Sequence, residues 1–153
     1  MPVGTVAGVN IGITASQPAT YNVAGYVALT FTNIGEITDG GEHGRTYALV
    51  THNPIDSRGT QKFKGSFNEG QKTLQLALDS DDAGQILLKT AMDDDADYSF
   101  EVSYPNGDKD YFQAKVMSYR KATGGVDSMI TATVDLEITT NSDGVGIVES
   151  LAT

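Results

Sequence analysis

The strongest constraint on this fold is the period of the apolar residues, which is two over much of the chain. Tyr98, Phe100, Val102 and Tyr104 alternate with smaller or polar neighbours, and the alternation resumes beyond Pro105, Asn106 and Gly107. That period turns one face of a strand towards a core and the other away. Proline fixes φ near about −65°, and asparagine and glycine accept positive φ most easily. "SYPNGDKDYF" therefore predicts a β-hairpin with a type I turn and a glycine bulge, its second strand running to about Tyr119. "VDSMITATVDLEITT" predicts the longest strand. Ile130, Ala132, Val134, Leu136 and Ile138 lie on its apolar face, and Asp127, Asp135 and Glu137 lie on the other.

Upstream, "RTYALVTH", "QKFKGSF" and "KTLQLAL" read as strands, the last with Leu74, Leu76 and Leu78 inward. "LTFTNIGEIT" reads as a further strand and "DGGEHG" as a mobile loop. "TYNVAGYVAL" predicts a short helix. "DSDDAGQILLKTAM" is the convincing helix, with Asp79 or Ser80 as cap and Ile86, Leu87 and Ala91 as its apolar face. It should stop near Met92, because the acids that follow suit the wrong end of its dipole. The sum is a mainly β architecture of two sheets with one flanking α-helix.

Charge is the second constraint. The 153 residues carry a net charge of −10, which disfavours binding to the phosphates of nucleic acid. Residues 45–72 hold five bases and two acids, a local +3 that leaves −13 for the remainder. From Thr123 onward there are five acids and no base. A subunit with opposed charge faces can stack on copies of itself. The acids around the hairpin (Asp93, Asp94, Asp95, Asp97, Asp108 and Asp110) are more than a core needs, so a role outside the core is expected for them.

Catalysis has little to work with. Cysteine is absent, which removes disulfides, thiolate chemistry and Cys-zinc sites. His43 and His52 sit in loop-like sequence, read as surface histidines, without the spacing of a triad or an H-x-x-x-H metal motif. Asp93, Asp95 and Asp97 have calcium-loop spacing, but Tyr98 and Tyr104 stand where glycine and a bidentate acid are required. No enzyme, cofactor or metal is expected. No apolar run approaches the roughly 20 residues of a membrane span, and "MPVGTVAGVN" lacks the basic and apolar parts of a secretory signal.

From about Tyr21 to Thr139 the chain resembles the major tail tube proteins of long-tailed bacteriophages with non-contractile tails, and of related phage-derived particles. The matching stretches are "YVALTFTNIGEITDGGEHG", "KGSFNEGQKTLQLALDSDDAGQILLKTA" and "YSFEVSYPNGDKDYFQAKVMSYRKATGGVDSMITATVDLEIT", in that order. The resemblance implies a β-sandwich or barrel-like tail tube fold, a single domain over 1–153 with an N-terminal arm over 1–20 and a C-terminal tail over 140–153. Some relatives carry an immunoglobulin-like domain beyond this point, so the tube core alone is expected here. It implies hexameric rings of the chain itself, stacked into a hollow tube in the virion. The subunits would be made in the host cytoplasm and meet a tape measure protein and tail-end proteins. DNA would pass the lumen without specific binding, and no membrane insertion by this chain is implied. Asp127, Asp135 and Glu137 are the expected lumen residues; Arg45, Arg58, Lys62 and Lys64 are the expected inter-ring contacts. A contractile-tail or type VI secretion-like tube, or less readily a monomeric β-sandwich binding module, are the alternatives.

Overall fold

The computed structural model describes residues 3–152. Its strands are β1 (Asn10–Thr14), β2 (Thr32–Asn33), β3 (Ile37–Asp39), β4 (Thr46–His52), β5 (Gln61–Asn68), β6 (Gln71–Ala77), β7 (Tyr98–Ser103), β8 (Lys109–Ala122), β9 (Thr131–Thr139) and β10 (Val148–Ser150). Two helices, α1 (Val23–Val27) and α2 (Ala83–Met92), complete it. The main sheet runs β2-β1-β7-β8-β9-β6-β3, with β10 also paired to β8, and β4–β5 form a separate two-stranded sheet. Every pairing is antiparallel. The two-sheet, mainly β reading holds, with α2 as the flanking helix.

The central hairpin forms as the turn chemistry demands. Gly107 N–H donates to Tyr104 O at 3.0 Å, Gly107 takes φ +98°, and Tyr104 N–H donates to Asp108 O at 2.9 Å. Phe100 and Phe112 face each other across β7 and β8 and stack with ring centres 5.5 Å apart. Together with Val134, Leu136, Leu74 and Leu76 they form the core, all buried. Tyr111, one residue out of phase, points to the opposite face, where Tyr26 of α1 stacks on it at 5.2 Å.

Helix α2 closes the core from one side with Leu88 and Ala91. Its cap is Asp82 rather than Asp79 or Ser80, and the reason is a long-range contact. The Asp82 carboxylate accepts from Gln85 N–H and also from Gly35 N–H, both at 3.0 Å. That capture accounts for a second difference: "LTFTNIGEIT" is two short strands, broken at Gly35 and at Glu36, whose φ is +62°. Ile86, expected inward, is half exposed, because Gly84 and Gln85 occupy the packed face instead. A Cβ on Gly84 would stand 2.3 Å from Asn33 O, so only glycine lets the helix approach this closely.

The longest strand is β8, not β9. β9 begins at Thr131, because Gly124 (φ +57°) and Gly125 make residues 123–130 an exposed turn in which Val126, Met129 and Ile130 are largely in solvent. The ends of the chain, read as an arm over 1–20 and a tail over 140–153, supply β1 and β10. β1 lies inside the main sheet between β2 and β7.

Candidate assembly surfaces

Three surfaces leave the fold unsatisfied within one chain. The first is the face of β6, β9 and β8 turned away from the core. Alternation places Thr73, Thr133, Asp135, Glu137, Lys115, Ser118 and Arg120 there, half-buried or exposed. Asp135 is well held: Thr73 and Ser118 hydroxyls donate to it at 2.9 and 2.7 Å, and Arg120 lies 3.7 Å away. Those hydroxyl bonds hold its carboxyl below the usual aspartate range. Glu137 is exposed and opposes Lys115 in register, while the Lys115 ammonium pairs with Asp97. Asp127 lies apart from both, in the exposed 123–130 turn.

The second is the edge of β8. β7 pairs with β8 only as far as Ala114, so over 115–122 β8 has β9 on one side and no strand on the other among the described residues. Unpaired backbone groups along such an edge are a template for another strand.

The third is the β4–β5 hairpin. Every residue of β4 is exposed, and Leu49 and Phe63 are 66% and 54% accessible. Its 53–60 tip carries Arg58, and Lys62 and Lys64 lie on β5, all exposed. Arg45 sits at the root. Its Nε donates to Glu69 at 2.6 Å, and its guanidinium lies 3.8 Å over the Phe67 ring. Arg45 is thus engaged within its own chain.

The loop before the hairpin corrects a further expectation. "DGGEHG" is folded onto the main sheet, and His43 is not a surface residue. Its side chain is 11% exposed, with Nε2 2.8 Å from Asp110 Oδ2 and Nδ1 3.1 Å from Lys72 Nζ. Tyr104 hydroxyl donates to the same carboxylate oxygen at 2.7 Å. An ammonium can only donate, so Nδ1 accepts from Lys72 and Nε2–H donates to Asp110. Burial drives the Lys72 amine down to about 8, with Asp110 and Asp39 opposing that fall. Burial acts to raise the Asp110 carboxyl, yet the bonds from His43 and Tyr104 outweigh it and hold the group low.

The acids around the hairpin are mostly used inside the subunit, contrary to expectation. Asp108 accepts from Ala152 N–H at 2.7 Å and from Asn106, and these bonds lower its carboxyl. Asp94 accepts from Tyr98 hydroxyl at 3.1 Å. Of the six, Asp93 and Asp95 are exposed without a side-chain partner among the described residues. Strand parity could have revealed the buried network: Lys72 shares the inward phase of Leu74 and Leu76, and Asp110 that of Phe112 and Ala114. Charges on an inward phase require partners.

Among the described residues, no helix is long and apolar enough to cross a membrane, and no cluster of three or more His, Cys, Asp or Glu is placed to hold a metal.

Three solved structures share the architecture. A sheath/tube terminator of an extracellular contractile injection system, PVC, aligns with TM-score 0.65 at 8% identity over 99% of this chain and 98% of that one. The SPP1 tail tube aligns with TM-score 0.63 at 13% identity over 97% and 80%. The anti-feeding prophage baseplate structure aligns with TM-score 0.60 at 9% identity over 89% and 92%. At these identities the likeness is one of fold. No curated protein matches the sequence. The family model described as lambda phage tail tube protein, TTP, matches residues 23–144, and the chain belongs to that tail tube protein family.

Proposed function

We propose that this chain is a single tail tube domain that assembles into hexameric rings, stacked as the hollow, non-contractile tail tube of a long-tailed bacteriophage. The observation that carries the reading is the β4–β5 hairpin. A hairpin exposing Leu49, Val50, Phe63 and Ile55 leaves large apolar surface in water unless another copy covers it. A repeated head-to-tail contact of this kind closes into a ring or continues as a filament. The open β8 edge over 115–122 is the place for lateral joining, so that neighbouring sheets run on as one barrel wall. Arg58, Lys62 and Lys64 then reach acids of the adjacent ring. With Asp108 and Asp110 engaged internally, Asp93 and Asp95 are the acids left for them. Arg45 acts by fixing the hairpin root.

The polar face of β6, β9 and β8 becomes the wall of the bore, with Asp135 and Glu137 on it and Asp127 at its rim. DNA passes without being bound, and the tape measure and tail-end proteins are the further partners. The role is structural, in the virion, with no reaction catalysed. The likeness in fold to a contractile injection system component favours one second reading, a tube inside a contractile sheath.

Electron microscopy of the purified protein tests the proposal. Tubes with a central hole and six-fold rings are expected. Removal of residues 53–59 in one variant, and Arg58→Glu with Lys62→Glu in a second, should leave rings that fail to stack. Discrete monomers at high concentration, or loop variants that polymerise as well as the parent, would refute it.

A further inference from the structure

The root of the β4–β5 hairpin is fastened to the main sheet by side chains that carry charge. Residues 40–45 connect β3 to β4, and three attachments hold them. Gly41, at φ +66°, lies so close to β6 that a Cβ would stand 2.2 Å from Thr73 O. Arg45 bonds Glu69, whose other oxygen accepts Ile147 N–H at 2.8 Å and so ties in the segment leading to β10. His43 bridges Asp110 of β8 and Lys72 of β6.

We propose that the His43 bridge is an acid-released latch on the hairpin root, so that the stacking element is held in place near neutral pH and freed below it. This rests on the hairpin being the stacking element. With Lys72 as the ammonium, which can only donate, the bridge accepts only a neutral imidazole. Nδ1 makes one hydrogen bond, as acceptor from the Lys72 ammonium 3.1 Å away. A proton on Nδ1 has no acceptor there and sets two donors and two positive charges against each other. The one carboxylate in contact, Asp110, is already shared with Tyr104 hydroxyl.

Other groups lining the surroundings are Asp39 of β3, Glu42 and Arg45 of the loop, Glu69 of the β5–β6 turn, and Glu149 of β10. None of them hydrogen-bonds Nδ1. Relief comes by turning the ring away from Lys72, and residues 40–45 move with it. Imidazoles change charge between about pH 5 and 8, the range in which such a latch would act. Deprotonation of Lys72, by contrast, keeps a donor at Nζ and leaves the bridge intact.

Hydrogen exchange on unassembled protein, corrected for intrinsic rates, tests the latch at pH 7.5 and pH 5. Protection over 40–52 and 61–68 should fall about tenfold at the lower pH, while β8 and β9 keep theirs. His43→Gln can donate and accept as the neutral ring does, and should lose no protection on acidification. Lys72→Met, which removes the conflicting cation, should behave likewise. Equal protection of the wild-type hairpin at both pH values, or an identical loss in both variants, would overturn the latch. Tube formation, followed by light scattering across the same pH range, separates the two readings. A root that opens in acid while tubes form equally well upholds the latch and removes the hairpin from stacking.

Discussion

Lys72 gives the most quantitative test of the structure. Its side chain is 2% exposed, and its amine falls from the ordinary 10.5 to about 8 because burial penalises the ammonium. Between those values the unfolded chain binds the proton that the native state has released. Stability must therefore rise with pH through this window. Every tenfold loss of proton affinity on folding corresponds to about 1.4 kcal/mol, so the full rise is about 3 kcal/mol, of which about 2 kcal/mol falls between pH 7 and 9.5. Urea unfolding followed by far-ultraviolet circular dichroism reads this directly. With a slope of about 2 kcal/mol/M, the wild-type midpoint should climb by about 1 M over that interval. Lys72→Met has no proton to release, and its midpoint should lack that rise. From about pH 9 upward the ionising phenols of the unfolded chain oppose this rise, and the comparison with the variant removes their common contribution. Parallel pH profiles for wild type and Lys72→Met would mean that the amine is not buried as the structure has it. The network built on it, His43 included, would then fall too.

Two further outcomes follow from single buried contacts. Gln85, 1% exposed, accepts from Asp79 N–H at 2.9 Å and donates to Gly35 O and Ala77 O at 3.1 and 2.9 Å. Gln85→Leu should cost about 2–4 kcal/mol in urea unfolding, since three backbone groups lose their partner, and a loss under about 0.5 kcal/mol would contradict that account. Asp108 holds the C-terminal segment through Ala152 N–H, so Asp108→Ala should raise exchange over 148–152 while β9 stays protected, and unchanged exchange at β10 would show that strand to be held by its pairing to β8 alone.

What the sequence disclosed was local. Pro105 to Gly107 specify a turn by their own φ preferences, and the even positions of β9 declare their face without reference to any other element. The end of α2 near Met92 followed from the charges beside it. What stayed hidden depends on residues far apart in the chain. Asp82 caps α2 because it also catches Gly35, 47 residues away, and the same contact breaks a strand that looked continuous. His43 meets Asp110 across 67 residues, and Glu69 meets Ile147 across 78. Spacing gives no sign of such pairs. The histidine looked like a surface residue because its neighbours Gly40, Gly41 and Gly44 make the loop read as solvent-borne. Gly41 lets the backbone lie close against β6, and so carries His43 inward.

Pairing of charges within the subunit also decides how a wall built from this sheet would treat DNA. The chain is strongly acidic, but at physiological salt charges act over only about 8 Å, so the net −10 matters less than the groups on the face itself. There Asp135 is offset by Arg120 and Asp97 by Lys115, while Glu137 has no ion-pair partner among the described residues. Three acids against two bases leave a single excess negative charge per subunit. Around it stand the hydroxyls of Thr73, Ser118, Thr131 and Thr133, with no cluster of lysine or arginine to grip a phosphate backbone. On the proposed reading, passage then depends less on repulsion than on the absence of holding points. The charged pairs are closed among themselves, and Glu137 is the one left to repeat around the ring. Such a wall is consistent with a conduit and poorly suited to a nucleic-acid binding surface, where unpaired cations must neutralise phosphates one by one.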